Sequence, residues 1–211
     1  MKKGIFAVWQ PLLDSIFANN VHSNICEIGT HRAKSGYQIM DYLLDNHPGT
    51  YTYHGYDLFE EANEQTDKEE FNGKGPGNFA YAKGFMQRLT ARYPGRFKYE
   101  LFKGYTQKTL ENKIYDFVYL DGGHSYATVK HDHSKIADSK VVVFDDLQLA
   151  PIEKYFKQYV KATGLPEVEW QPDNFNKTQR PFYSVMPHHV SKVKKPVIGR
   201  PTHHIQPVIF K

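Results

Sequence analysis

The chain has 211 residues, of which 40% are hydrophobic and 24% charged, a composition typical of a folded globular protein. No apolar run approaches the roughly 20 residues that a transmembrane helix needs. Gln10, Pro11 and Asp14 interrupt the apolar stretch that an N-terminal signal peptide requires. A single cysteine, Cys26, excludes an internal disulfide framework, so we expect a cytoplasmic protein with no membrane contact.

The formal net charge of +4 is distributed unevenly. Residues 1–150 carry 17 Lys/Arg and 19 Asp/Glu, whereas residues 151–211 carry 10 and 4. We predict one domain at 1–187, followed by a basic, proline-containing C-terminal arm at 188–211. A solvated tail is one interpretation of the arm, and a surface that attracts an acidic substrate or nucleic acid is the other.

Strand and helix patterns alternate along the chain, which predicts an α/β fold with a mostly parallel sheet covered by helices. The predicted strands are 23–29, 51–58, 96–102, 115–120, 141–144, 167–170 and 182–186. The predicted helices are 9–19, 37–45, 79–93, 106–112, 125–138 and 151–162. Residues 59–78 show no clear period, being acidic at first and glycine-rich later. A segment of this length inside a domain is usually functional or disordered, and we interpret it as an inserted lid or substrate loop.

Acidic residues follow several of the predicted strands. Glu27, Asp57 and Asp121 each stand at a strand end, and the pair Asp145-Asp146 follows a fourth strand. Because ligands of open parallel sheets bind beyond the carboxyl ends of the strands, these positions predict a ligand site at that edge.

The sequence of the turn after the first strand narrows the classes of ligand that this site can bind. Gly29 is followed by Thr30, His31 and Arg32, a spacing that fits neither the dinucleotide fingerprint nor a phosphate-binding P-loop. An acid two residues before this glycine suits a cationic or hydroxyl-rich cofactor better than a pyrophosphate.

From about Ile25 to Leu147 the chain resembles the class I S-adenosylmethionine-dependent methyltransferases. Within them it is most similar to the metal-dependent O-methyltransferases of macrolide and aminocoumarin sugars. The strongest segments are IYDFVYLDGGHSYATVKHD and VVVFDDL. The resemblance implies a Rossmann-like, doubly wound sheet of seven strands with helices on both faces. It also implies methyl transfer from S-adenosyl-L-methionine to a small hydroxylated substrate, with a sugar among the candidates.

The resemblance also assigns residues. Asp121, Asp145 and Asp146 match divalent-metal ligands, with Mg²⁺ the expected ion, and His124 matches a general base that acts beside Asp121. Ala33 replaces a usual second glycine, and Gly104-Tyr105 lacks an acid often found there. The cofactor contacts implied by the resemblance are Glu27, Gly29, Thr30, Ser35, Asp57, Leu58, Tyr105, Thr106 and Asp121.

Other functions stay open at this point. The acids and His124 also fit a metal-dependent phosphoesterase, and a non-catalytic cofactor-binding interaction module is a further alternative. DGGH stands where amino-methylating DNA enzymes carry a (D/N)-PP-(Y/F/W) motif, which argues against nucleic acid as the partner. A small-molecule substrate is the expected partner, and a homo-oligomer remains an option.

Two further features are interpreted structurally. Residues 131–133 read His-Asp-His, but neighbours on a helix point in different directions, so we predict a solvated face and not a metal motif. Cys26 lies in the middle of a predicted strand, and we expect an inert core residue there.

Overall fold

The computed structural model describes residues 10–70 and 75–164, and the backbone of residues 167–170 and 182–185. The predicted C-terminal arm at 188–211 lies outside the described residues. In the described part of the chain, no helix is both long and apolar enough to cross a lipid bilayer.

Strands and helices alternate as the sequence predicts, with most ends within three residues of the predicted ones. The strands are β1 His22–Ile28, β2 Thr50–Asp57, β3 Phe97–Lys103, β4 Phe117–Leu120, β5 Val142–Phe144, β6 Glu167–Trp170 and β7 Phe182–Val185. The helices are α1 Gln10–Phe17, α2 Lys34–Asn46, α3 Glu64–Glu69, α4 Phe79–Arg92, α5 Thr106–Thr109, α6 Tyr126–Ile136 and α7 Ala150–Thr163.

The sheet has the order β3-β2-β1-β4-β5-β7-β6. Strands β1 to β5 pair in parallel, and β7 and β6 extend the sheet with antiparallel pairing. The predicted α/β fold with a mostly parallel sheet is therefore confirmed, and five of the seven described strands form its parallel part. The chain reverses its direction of strand addition between β1 and β4, and such a switch point opens a crevice at the carboxyl ends of the strands.

Apolar side chains alternate between the two faces of the sheet. On β5, Val143 packs in the core that α1, α2 and α4 cover, whereas Val142 and Phe144 pack in the core under α6 and α7. A parallel sheet needs cover on both faces, and the predicted helices on both faces are confirmed.

The inserted segment contains structure that the sequence did not predict. A 3₁₀ turn at Phe59–Glu61 precedes α3, whose first turn is capped by Asn63 through the N–H groups of Gln65 and Thr66. Thr66 is the one buried residue of α3, so this helix has no apolar stripe and shows no helical period in the sequence.

The prediction of a solvated face at residues 131–133 is wrong for two of the three residues. Asp132 and His133 are each only 1% exposed. The His133 Nδ1 atom lies 2.8 Å from the Tyr155 hydroxyl, because α6 packs directly against α7.

Glu27 is buried inside the domain. Its carboxyl group accepts hydrogen bonds from the Gly36 N–H of α2 at 3.1 Å and from the Tyr53 hydroxyl of β2. Burial raises the pKa of Glu27 from 4.5 to about 8, and the two hydrogen bonds oppose that rise only in part. Glu27 therefore connects β1, β2 and α2 from within the core.

Gly29 follows β1 directly and has a φ of +93°. A Cβ atom on Gly29 would lie 1.9 Å from the carbonyl oxygen of Asp121. The Gly29 and Thr30 N–H groups both donate to the carbonyl of Tyr56, at 2.9 and 3.2 Å. Only glycine can adopt this backbone conformation so close to the end of β4.

Replacing Gly29 with alanine should lower the free energy of unfolding by about 2–5 kcal/mol, since a backbone clash adds to an unfavourable φ. Gly84→Ala in α4 is the matched control, because a Cβ atom there meets nothing within 4 Å. The free energy of unfolding of this control should rise by about 0.5–1 kcal/mol, because alanine has a higher helix propensity than glycine. Urea unfolding measures both, and equal midpoints for the two variants would contradict this account.

The raised pKa of Glu27 predicts a pH dependence of stability. The folded state keeps a proton that the unfolded state releases between pH 4.5 and about 8, so the free energy of unfolding should fall as pH rises through that window. Glu27→Gln cannot ionise and should show a smaller fall. Urea unfolding at pH 5 and pH 8 tests this, and an equal fall in both proteins would refute it.

Candidate active site

A cavity of about 300 Å³ opens at the carboxyl ends of β1, β2, β3 and β4. This is the low end of the size range for small-molecule sites. The lining residues predicted from the sequence are Gly29, Thr30, Ser35, Asp57, Leu58, Tyr105, Thr106, Asp121 and His124. Strand ends that are far apart in the sequence therefore meet at one opening, as the predicted edge site requires.

The turn between β1 and α2 forms one wall of the cavity. His31 and Ala33 adopt left-handed conformations with φ of 50° and 55°, which non-glycine residues rarely do. Ala33 thus has a left-handed backbone at the position where the resemblance in the sequence implies a second glycine. Ala33 also makes no side-chain cap for α2, and the first turn of this helix faces the cavity with Lys34 and Ser35.

Asp57 stands at the end of β2. Its Oδ2 atom accepts the His31 N–H at 2.8 Å, and its Oδ1 atom accepts the Phe59 N–H. Burial raises the pKa of Asp57, and these two backbone donors offset part of the rise. The carboxylate is therefore held at the cavity wall, and each oxygen keeps a second lone pair for a ligand hydroxyl.

Asp121, His124 and Asp146 bring three ligand atoms within 4.8 Å of one another. His124 Nε2 lies 3.0 Å from Asp146 Oδ2. His124 Nδ1 is buried and has no hydrogen-bond partner among the described residues. The imidazole and the two carboxylates come from the loops after β4 and β5, so the sheet edge itself assembles the cluster.

Asp145, which the sequence analysis also assigns to the metal, lies outside this cluster of three. Its Oδ2 atom accepts the Tyr119 hydroxyl at 2.5 Å, and its Oδ1 atom accepts the Asp146 N–H at 2.7 Å. Asp146 has a φ of 56°, and this turn separates the directions of the two adjacent carboxylates. Asp145 therefore supports the turn, while Asp146 faces His124.

Glu27 is the second residue that the structure moves away from its predicted role. It is 1% exposed and does not line the cavity. Because both of its oxygens bond to Gly36 and Tyr53, Glu27 supports the wall from behind and is not placed to contact a cofactor.

Described residues of the inserted segment, among them Thr66 and Glu70, line one side of the cavity. Glu70 accepts the Ser125 N–H at 2.8 Å and the Thr128 hydroxyl at 2.6 Å, both in the first turn of α6. Anionic groups are stabilised at a helix N-terminus, so Glu70 fixes the insert to α6. The sequence offered Ser125 as the start of this helix but gave no sign of its distant partner.

Asp132 also lines the cavity, and sequence reasoning missed it. A signal was present, since Val129, Asp132 and Ile136 follow the helical spacing that marks a buried stripe. Polar neighbours on both sides of Asp132 concealed this stripe.

Comparison with known proteins supports the same reading of the fold. A family model described as a methyltransferase domain matches residues 26–147. The O-methyltransferase NovP is similar over 88% of this chain and 81% of its own, with a TM-score of 0.61 and 13% identity. Apo CalS11, a TDP-rhamnose 3′-O-methyltransferase, is similar over 86% of this chain and 80% of its own, with a TM-score of 0.58 and 13% identity.

A comparison with curated proteins finds no significant match. At such low identity the two solved structures establish similarity of fold, whereas the family model spans more than half of the 211 residues. The chain therefore belongs to the methyltransferase-domain family and has the class I S-adenosylmethionine-dependent methyltransferase fold.

Proposed function

We propose that this protein is a metal-assisted O-methyltransferase that uses S-adenosylmethionine to methylate a small hydroxylated molecule, with a sugar as the leading candidate. The main support for this proposal is the cluster of Asp121, His124 and Asp146. The cluster lies at the cavity that Gly29 and Asp57 line. The acceptor class is supported by the names of the two similar structures, an O-methyltransferase and a TDP-rhamnose 3′-O-methyltransferase.

The residues of the cavity fit the cofactor. The turn at Gly29 lines the cavity beside the end of β4, and Asp57 presents carboxylate oxygens suited to vicinal ribose hydroxyls. The first turn of α2, near Ser35, suits the carboxylate of the methionine part. When bound, S-adenosylmethionine supplies a methyl group activated by the sulfonium charge.

His124 is the candidate general base. With Nε2–H directed at the Asp146 carboxylate, 3.0 Å away, the lone pair resides on Nδ1. That atom is buried and has no partner among the described residues, so it can take the proton of an acceptor hydroxyl while the oxygen gains the methyl group. Asp146 then stabilises the imidazolium that forms.

The carboxylates of Asp121 and Asp146 are the candidate metal ligands. Mg²⁺ prefers oxygen ligands and keeps positions for water or substrate, so we assign these two carboxylates to the ion and the imidazole to the proton. When bound, such an ion lowers the pKa of a coordinated hydroxyl.

A phosphoesterase would use the same cluster, but it leaves the turn at Gly29 and the carboxylate of Asp57 without a role. The methyltransferase proposal uses both. We also propose a cytoplasmic location, with which the buried free thiol of Cys26 is consistent. Small molecules are the partners that we propose.

The first experiment is calorimetric titration with S-adenosylhomocysteine, combined with an assay of S-adenosylhomocysteine release from S-adenosylmethionine, Mg²⁺ and a panel of nucleotide sugars and catechols. His124→Ala should keep cofactor affinity within about threefold and lose turnover by about 100-fold or more. No cofactor binding by the wild type at millimolar ligand would overturn the proposal. Unchanged turnover in the variant would remove His124 from the mechanism.

The second experiment concerns the metal ligands. Asp146→Asn should weaken Mn²⁺ binding, used as a probe for Mg²⁺, by about 10- to 100-fold because it removes one anionic ligand. Asp145→Asn should change it by less than about threefold, since Asp145 is bonded to Tyr119 and lies outside the cluster. Electron paramagnetic resonance of free Mn²⁺ measures both affinities. A larger loss for Asp145→Asn than for Asp146→Asn would reverse this assignment.

A further inference from the structure

Asp132 is a buried carboxylate whose bonding is incomplete. The residue is 1% exposed, in the middle of α6. Its Oδ1 atom lies 3.1 Å from His131 Nδ1, whereas its Oδ2 atom is buried without a hydrogen-bond partner among the described residues. An unsatisfied buried acceptor costs free energy, so such an oxygen indicates a missing donor.

The unsatisfied oxygen belongs to the cavity. Asp132 is one of the lining residues, and a Cβ atom built on Gly122 would lie 3.5 Å from Asp132 Oδ2. Burial raises the pKa of Asp132, and the neighbouring Thr106 hydroxyl and His131 lower it only in part. Asp132 therefore lies between the end of β4 and the start of α5.

The path of the backbone connects this position to Asp57. The Gly104 N–H donates to the Asp57 carbonyl at 3.0 Å, and the chain then lines the cavity from Gly104 to Thr106, beside Asp132. If the ribose hydroxyls of a nucleoside bond to Asp57, its base lies on the side of the cavity that residues 104–106 and Asp132 line. The opposite side of Asp57 is the turn that leads to α2.

S-Adenosylmethionine carries N–H donors at its two ends, the adenine amine and the methionine ammonium. The ammonium is next to the carboxylate that suits the first turn of α2, so the adenine amine is the donor on the side of Thr106. We propose that Asp132 Oδ2 accepts a hydrogen bond from the exocyclic amine of adenine and selects adenine over bases with a carbonyl at that position. This inference rests on the proposed function.

Calorimetry with S-adenosylhomocysteine and S-inosylhomocysteine tests this selection. The wild type should bind the adenine compound at least about tenfold more tightly, because hypoxanthine turns a carbonyl oxygen toward the carboxylate. Asp132→Asn should lose about tenfold in affinity for S-adenosylhomocysteine and discriminate less than about threefold, since its amide can donate to that carbonyl. Asp138→Asn, exposed near the end of the same helix, is the matched control and should behave like the wild type.

Equal affinity of the wild type for the two compounds overturns the inference without any variant. Wild-type discrimination in an Asp132→Asn protein with an unchanged thermal unfolding midpoint overturns it as well. Both results leave the proposed function standing, whereas failure of the wild type to bind S-adenosylhomocysteine overturns the proposed function itself.

Discussion

The backbone at Gly29 lies so close to the carbonyl of Asp121 that a Cβ atom would approach that oxygen to 1.9 Å. The glycine allows the ends of β1 and β4 to approach this closely, and the Asp121 N–H donates to the Ile28 carbonyl at 2.8 Å, at the point where the order of the sheet reverses. The turn toward α2 begins on one side of the contact, and the loop that carries Asp121 and His124 begins on the other. The cavity and the acid–histidine cluster both depend on this close approach.

Much of the site could be predicted because strand direction is simple to read. An acid that directly follows a buried parallel strand must lie at the carboxyl edge of the sheet. Asp57 and Asp121 therefore line the cavity as expected, and His124 follows Asp121 by only three residues. The order of strands and helices could also be predicted, because apolar runs mark the elements and proline-glycine pairs mark where they end.

The errors come from side-chain direction and from contacts between distant segments. Glu27 lies on the face of β1 that packs under α2. Because side chains alternate between the two faces of a strand, a shift of one position along β1 decides whether a carboxyl group points into this core or away from it. Asp145 and Asp146 are adjacent, and only the left-handed turn at Asp146 decides which of them meets His124. The attachment of Glu70 to α6 joins residues 55 positions apart, and no local pattern encodes it.

The structure gives these acids separate positions. Glu27 supports the cavity wall from the core, Asp57 lines the cavity, and Asp146 lies 3.0 Å from His124. In the function that we propose, one cavity places the cofactor against the cluster of Asp121, His124 and Asp146. A crystal structure with S-adenosylhomocysteine tests this arrangement. We expect the ribose hydroxyls on Asp57 and the sulfur facing the cluster; a ligand outside the cavity, or a sulfur turned away from the cluster, would contradict the arrangement.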